Sequence, residues 1–247
     1  MTRVYREGSR HRKVGRLGGV LLRVTRVVGA HCAMASIAAA SLITSAAQIG
    51  QPQTVIDFNQ FAGSNSVTTQ GPIQVGTGVS FTSTNPSGSA VGSGPYSFSD
   101  NGTWNSTMTF AGLDVDQFGG DQYTMKFCFS HPVDAVGGFV NYAAFQYSGF
   151  SDVIMSALGI KGNVLESYDI NKVDPISTPG ETNAGEFIGI LTGRDDIAAF
   201  TLSNSAVAIT DLTFSTGVPE PNAFVLGLIG LIALGALVFF RVNKQTR

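Results

Sequence analysis

Phe187-Ile188-Gly189-Ile190, Asp196-Ile197-Ala198-Ala199-Phe200 and Ala208-Ile209-Thr210-Asp211-Leu212-Thr213-Phe214 decide the fold class. Each run is short and rich in β-branched or aromatic residues, and Gly, Asn, Ser and Asp clusters separate them, so they read as strands. Working outward, the same signal predicts strands over Thr54–Phe61, Val79–Thr84, Trp104–Phe110, Tyr123–Phe129, Ala135–Tyr142, Asp152–Leu158, Asn163–Ile170, Glu186–Leu191, Ile197–Leu202 and Val207–Phe214. No stretch between the two ends of the chain keeps a helical period. Short strands at this spacing predict an all-β fold, a two-sheet antiparallel sandwich of jelly-roll-like wiring. Ile160-Lys161-Gly162-Asn163-Val164 reads as a tight hairpin, because Gly162 and Asn163 tolerate positive φ. The Gly/Ser-rich stretch Asn85 to Gly94 is expected to be a mobile loop.

Both ends read as processing segments. A basic stretch precedes the mainly apolar run Val27 to Ile43, and Ser45-Ala46-Ala47 offers small residues for a signal peptidase, so residues 1–47 are expected to be a signal peptide cut after Ala47. An uncleaved anchor helix is the alternative, and the long basic lead also admits a start at Val20. Cys32 does not read as a lipoprotein site, because His31 stands where a small residue is needed. At the other end, Ala223 to Phe240 is eighteen residues without a charge. As a helix it would span about 27 Å, close to the hydrocarbon core of a bilayer. Arg241, Lys244 and Arg247 follow, which places the tail of residues 241–247 in the cytoplasm and the preceding domain outside. Residues 48–217 are left as the ectodomain and 218–247 as a C-terminal segment.

Val218-Pro219-Glu220-Pro221, the adjoining apolar helix over 223–240 and the short basic tail together resemble the PEP-CTERM sorting signal of Gram-negative bacteria. The resemblance implies an exosortase substrate with Pro219, Glu220 and Pro221 as recognition residues. It also implies a precursor held in the inner membrane by the C-terminal helix, then sorted to the cell surface or released. The tail departs from the family pattern, since Val242, Asn243, Gln245 and Thr246 interrupt its basic residues. Two prolines flanking Glu220 keep the segment extended, which a processing enzyme needs. An ordinary anchor with a proline-rich stalk is the alternative. The runs from Phe187 to Phe214 are also similar to the last strands of sandwich domains common in PEP-CTERM proteins.

Charge is partitioned. Eight of fifteen Lys and Arg precede residue 27, and residues 48–221 keep only Lys126, Lys161, Lys172 and Arg194 against sixteen acids, a net of −12. Such a field repels phosphate backbones and excludes nucleic acid as a partner, while favouring divalent cations. With Cys32 in the signal, Cys128 has no partner for a disulfide and reads as a small buried hydrophobe.

Catalytic constellations are sparse. His131 is the only ectodomain histidine, and its odd spacing from Cys128 along a strand separates the two side chains, so neither a His-rich zinc site nor a local Cys-His dyad forms. Asp114-Val115-Asp116-Gln117-Phe118-Gly119-Gly120-Asp121 begins like an EF-hand but has Phe118 at position 5 and Met125 at position 12. It is either a looser Ca²⁺ loop, with Asp114, Asp116 and Asp121 as ligands, or a solvated acidic turn. Asp57 on the first strand and Asp211 on the last are a second candidate Ca²⁺ pair, since terminal strands of jelly rolls often lie close together. The alternative is two separate strand-edge acids. Trp104, Tyr142 and Tyr147 form either a sugar-stacking platform or core. The sequons at Asn101 and Asn105 carry little meaning in a bacterium.

The leading function class is a non-enzymatic, exosortase-sorted envelope or extracellular-matrix protein associated with extracellular polysaccharide and biofilm, as the PEP-CTERM resemblance implies. The alternative is a secreted carbohydrate-active enzyme on a β-sandwich, which needs only two carboxylates brought together by folding. An acidic cleft with two facing carboxylates separates the second class from the first.

Overall fold

Strand formation follows the alternation that a half-buried pleated surface demands: along Val79–Ser83, Val79, Phe81 and Ser83 are buried while Ser80 and Thr82 are partly exposed. The computed structural model describes residues 40–113, 122–143 and 152–215. Its strands are β1 (Ser41–Ile43), β2 (Gln53–Ile56), β3 (Val67–Thr69), β4 (Ile73–Gly76), β5 (Val79–Ser83), β6 (Ser89–Ser93), β7 (Tyr96–Ser97) and β8 (Thr103–Trp104). They continue as β9 (Thr109–Leu113), β10 (Thr124–Val133), β11 (Ala135–Tyr142), β12 (Ile154–Leu158), β13 (Val164–Asp169), β14 (Glu186–Leu191), β15 (Ile197–Ser203) and β16 (Val207–Ser215). The expected signal up to Ala39, the sorting motif Val218 to Pro221 and the apolar run 223–240 lie outside the described residues, as do Asp114, Asp116, Asp121 and Tyr147. Among the described residues no helix is long and apolar enough to cross a membrane.

The strands form two antiparallel sheets and a hairpin. The larger runs β1-β14-β11-β16-β9-β6-β3, with β2 also on β16, and the smaller runs β13-β12-β15-β10-β5-β4, while β7 pairs with β8. From β9 onward the chain passes between sheets at nearly every connection, the hairpin β12–β13 excepted. That hairpin closes through Gly162, at φ +75°, with the Gly162 N–H donating to the Gly159 carbonyl at 2.8 Å. The all-β sandwich expectation is met.

Its core lies between the sheets. Val136, Val140, Ile188, Ile190 and Ile209 of the larger sheet face Phe81, Met125, Phe127, Met155 and Phe200 of the smaller, all fully buried. Phe129 and Phe214 meet across the gap with ring centroids 5.1 Å apart. A second aromatic cluster, built round Trp104, packs on the outer face of the larger sheet against Phe139, Phe110 and Ala208.

One expectation needs correction. Within Asn85 to Gly94, the expected mobile loop, β6 is an interior strand paired with both β3 and β9. Its small residues serve close approach: a Cβ at Gly92, φ +148°, would stand 2.6 Å from the Phe61 carbonyl oxygen. The signal boundary expected at Ala47 falls among described residues. Ser41–Ile43 pairs with β14 at the sheet edge, and Ile43 and Ile49 are 1% and 2% exposed against Ala135, Phe187 and Leu191. Ala46 and Ala47 lie in a helical turn whose Ala46 carbonyl accepts the Gln53 amide at 2.8 Å. In this fold the residues expected to end the leader thus pack against the sheet edge.

One transverse row of the larger sheet, Ser41-Leu191-Ala135-Ser215-Gln53, contains both the first residue of β1 and the last of β16. They are three strand spacings apart, about 14 Å. Leu113 and Tyr142, both opposite Val207, mark the other pole, where the chain leaves toward residues 114–121 and 144–151.

Candidate functional site

β16 changes partner midway, pairing through Val207–Ile209 with β9 and through Leu212–Ser215 with β2. At the junction its register against β11 slips: Gly137 and Phe139 oppose Thr213 and Thr210, so β16 carries one extra residue. Asp211 takes it up at φ +48°, a left-handed conformation that Asp tolerates better than most residues. The bulge turns Asp211 out to solvent between buried Thr210 and Leu212. Ile56 pairs with Leu212, so the next residue, Asp57, stands beside Asp211.

The two candidates from opposite ends of the domain are thus brought together. The Asp57 carboxylate accepts from the Asn59 N–H at 3.1 Å and from Asn59 Nδ2 at 2.6 Å. Thr109 Oγ1 donates to the Asp57 carbonyl at 2.6 Å and lies 3.1 Å from Asn59 Oδ1. Partial burial, and secondarily the Asp57 charge, hold the Asp211 carboxyl above its ordinary value. Asn59 and Thr109 complete an oxygen-rich junction that sequence reasoning missed, since Thr109 reaches Asp57 from 52 residues away. Calcium takes six to eight oxygens. The Asp57 and Asp211 carboxylates would be two of its ligand groups, and among the described residues no three His, Cys, Asp or Glu side chains gather.

Other candidates fare differently. Trp104 and Tyr142 are 0% and 1% exposed, so they are core, and the sugar-stacking platform is overturned for both. Trp104 Nε1 donates to the Ala184 carbonyl at 2.7 Å, and the Tyr142 hydroxyl accepts the Ile176 N–H at 3.1 Å. Burial raises the Tyr142 pKa. Cys128 is partly exposed rather than buried, because Phe127 and Phe129 take the inward positions of β10. His131 is exposed and its Nδ1 lies 3.1 Å from Ser130 Oγ. Asn101, the first sequon residue, is 3% exposed in a polar core network.

A second carboxylate pair, unforeseen, is bridged by a lysine: Lys172 Nζ lies 2.9 Å from Asp152 and also contacts Asp169. Lys172 is held above its usual range by these carboxylates, and its hydrogen bond lowers Asp152. A lowered carboxyl is the opposite of what a glycosidic general acid needs. A pocket of about 160 Å³ near β3 and β6 is lined by residues such as Ser66, Thr68, Val91, Tyr96 and Phe110, with no titratable acid or base except the Tyr96 phenol. That phenol donates to the Leu113 carbonyl at 2.6 Å.

No family model, no curated protein and no solved structure matches this chain.

Proposed function

We propose that this chain is an exported envelope or extracellular-matrix protein, sorted by an exosortase, whose jelly-roll-like ectodomain acts without catalysis and associates with extracellular polysaccharide. The observation that carries the reading is the shared pole of Ser41 and Ser215. Ser41 and Ser215, the residues that would follow the leader and precede the sorting segment, stand there about 14 Å apart. The eight-residue step from Ser215 to Ala223 reaches about 28 Å when extended. A sandwich whose Ser41 and Ser215 share one end would let both segments meet a single membrane while the opposite pole faces outward. The passage of the chain from sheet to sheet supports the jelly-roll wiring, and the core packed between the sheets leaves the surface for polysaccharide contact.

Replacing Pro219, Glu220 and Pro221 together by alanine is expected to leave a larger, membrane-retained form in the native host. Immunoblots of inner-membrane, surface and medium fractions measure it. Unchanged size and location would remove the exosortase reading.

Calcium at the Asp57–Asp211 junction is the cofactor this reading favours. Because the folded pKa of Asp211 is raised, its unfavourable contribution is absent below the unfolded carboxylate range and develops as pH rises through that range to the folded pKa. In chelator, Asp211→Asn is therefore expected to melt higher above about pH 4. Screening limits the gain to about 1 kcal/mol, or roughly 2–4 °C. Asparagine also suits positive φ, but that benefit does not vary with pH. Calcium a hundredfold above Kd adds about 2.7 kcal/mol to the wild type, roughly 5–10 °C, and less to the variant. Equal melting temperatures in calcium and magnesium at fixed ionic strength would remove the specific site. Polysaccharide hydrolysis lost in the variant would favour the carbohydrate-active enzyme, which the raised Asp211 beside Asp57 supports as a second reading.

A further inference from the structure

We propose that signal peptidase hydrolyses the Ala40–Ser41 bond, so that the mature protein begins at Ser41 and keeps β1; this rests on the export reading above. Ser41, Leu42 and Ile43 pair in register with Leu191, Ile190 and Gly189. The chain then turns through Ala46–Gln48, with the Ser45 side chain accepting the Ala47 N–H and Gln48 Oε1 accepting the Thr44 N–H at 2.9 Å. Gln53 Nε2 clamps the turn through the carbonyls of Ala46 and Ile49, at 2.8 and 2.7 Å. Cutting after Ala47 would remove the strand, strip Ile43 from the cluster of Ile49, Ala135, Phe187 and Leu191, and break the clamp.

The bond before β1 meets the chemical requirements. Ala38-Ala39-Ala40 places small residues at the two positions a signal peptidase reads, directly ahead of the first strand. The apolar segment then runs Val27 to Ile37, eleven residues. That length falls within the roughly 7–15 of a signal h-region, whereas the seventeen residues from Val27 to Ile43 exceed it. The reaction is peptide hydrolysis: water adds across the bond, the Ala40 carbonyl carbon leaves as carboxylate with the leader, and the Ser41 nitrogen becomes an α-amine. Ser41 is exposed at the sheet edge, so the new charge stays in water and carries no burial cost.

The test is N-terminal sequencing and intact mass of the full chain expressed in its native host, with Ala40→Leu and Ala47→Leu compared. A mature terminus at Ser41, blocked by A40L and unaffected by A47L, is expected. Ala47 is exposed, so the fold accommodates leucine there. A terminus at Gln48, or at any other residue, overturns the proposal while leaving export intact. A full-length chain confined to the cytoplasm overturns the export reading and this proposal with it.

Discussion

Trp104→Ala is expected to cost about 3–5 kcal/mol and to lower the melting temperature of the domain by roughly 6–20 °C. Trp104 is the only tryptophan, fully buried outside the main core. It meets Phe98 edge-on at 5.1 Å, Phe110 at 5.8 Å, and Phe139 nearly parallel at 6.1 Å, with 16° between planes. These contacts hold the β7–β8 hairpin on the larger sheet, so truncation opens a cavity that β-strands on one side cannot close by shifting. The Ala184 carbonyl also loses one of its two donors, keeping Asn141 Nδ2. Trp104→Phe keeps most of the ring packing and loses that donor, so a smaller loss of about 1–2 kcal/mol is expected. Thermal melts by circular dichroism separate the two. Were W104A no worse than W104F, the indole would be a surface group, and the discarded sugar platform would return.

Legibility of the fold tracked how much of each strand's burial is written in large side chains. Ala135–Tyr142 and Glu186–Leu191 match their expected bounds, because Val136, Phe139 and Val140 of one and Phe187, Ile188 and Ile190 of the other mark them as strands despite Gly137, Gly138 and Gly189. β6 is Ser-Ala-Val-Gly-Ser, where Val91 alone signals a core and small residues meet neighbouring backbone. No local pattern distinguishes such a strand from a loop. β1 was hidden for a related reason, since Ser, Leu and Ile next to alanines suit a leader as well as an edge strand. The expected strand Trp104–Phe110 divides at Asn105, whose Oδ1 accepts the Thr107 N–H at 2.9 Å, a turn signal that was present in the sequence. Thr54–Phe61 stops at Ile56 because Phe58 adopts φ +57° before a helical turn, which phenylalanine does not advertise. Asp57 and Asp211 were legible as a pair because the first and last strands of such sandwiches are often near neighbours. The bulge that presents Asp211 was not, since register slips arise from pairing between distant strands.

Asn101→Asp is expected to destabilise the domain progressively as pH rises, whereas Asn101→Ala costs about 3–5 kcal/mol at all pH values. Asn101 Nδ2 donates toward Asn141 Oδ1 at 2.8 Å and the carbonyls of Tyr142 and Ile176 at 3.0 and 3.1 Å. Its Oδ1 accepts the Thr178 N–H at 2.6 Å, and its carbonyl accepts Thr178 Oγ1 at 2.8 Å. Asn141 Nδ2 in turn reaches the Ala184 carbonyl at 3.0 Å. The network fastens the loop between the helical turn Ile170–Val173 and β14 to the end of β11. Alanine leaves the Thr178 N–H and the carbonyls of Tyr142 and Ile176 short of partners, a deficit without a titratable group. Aspartate has the same shape but turns a donor into an acceptor facing three acceptors. Its carboxyl is therefore protonated in the fold well above the unfolded value, and the native state binds a proton that the unfolded state releases. Stability relative to wild type falls as pH passes upward from about 4 through the raised folded pKa, and is recovered in part below it. Urea denaturation of the three proteins between pH 4 and 8 measures this. A parallel offset for N101D, with no pH slope beyond that of N101A, would mean that the amide faces water and that the loop is held by other contacts.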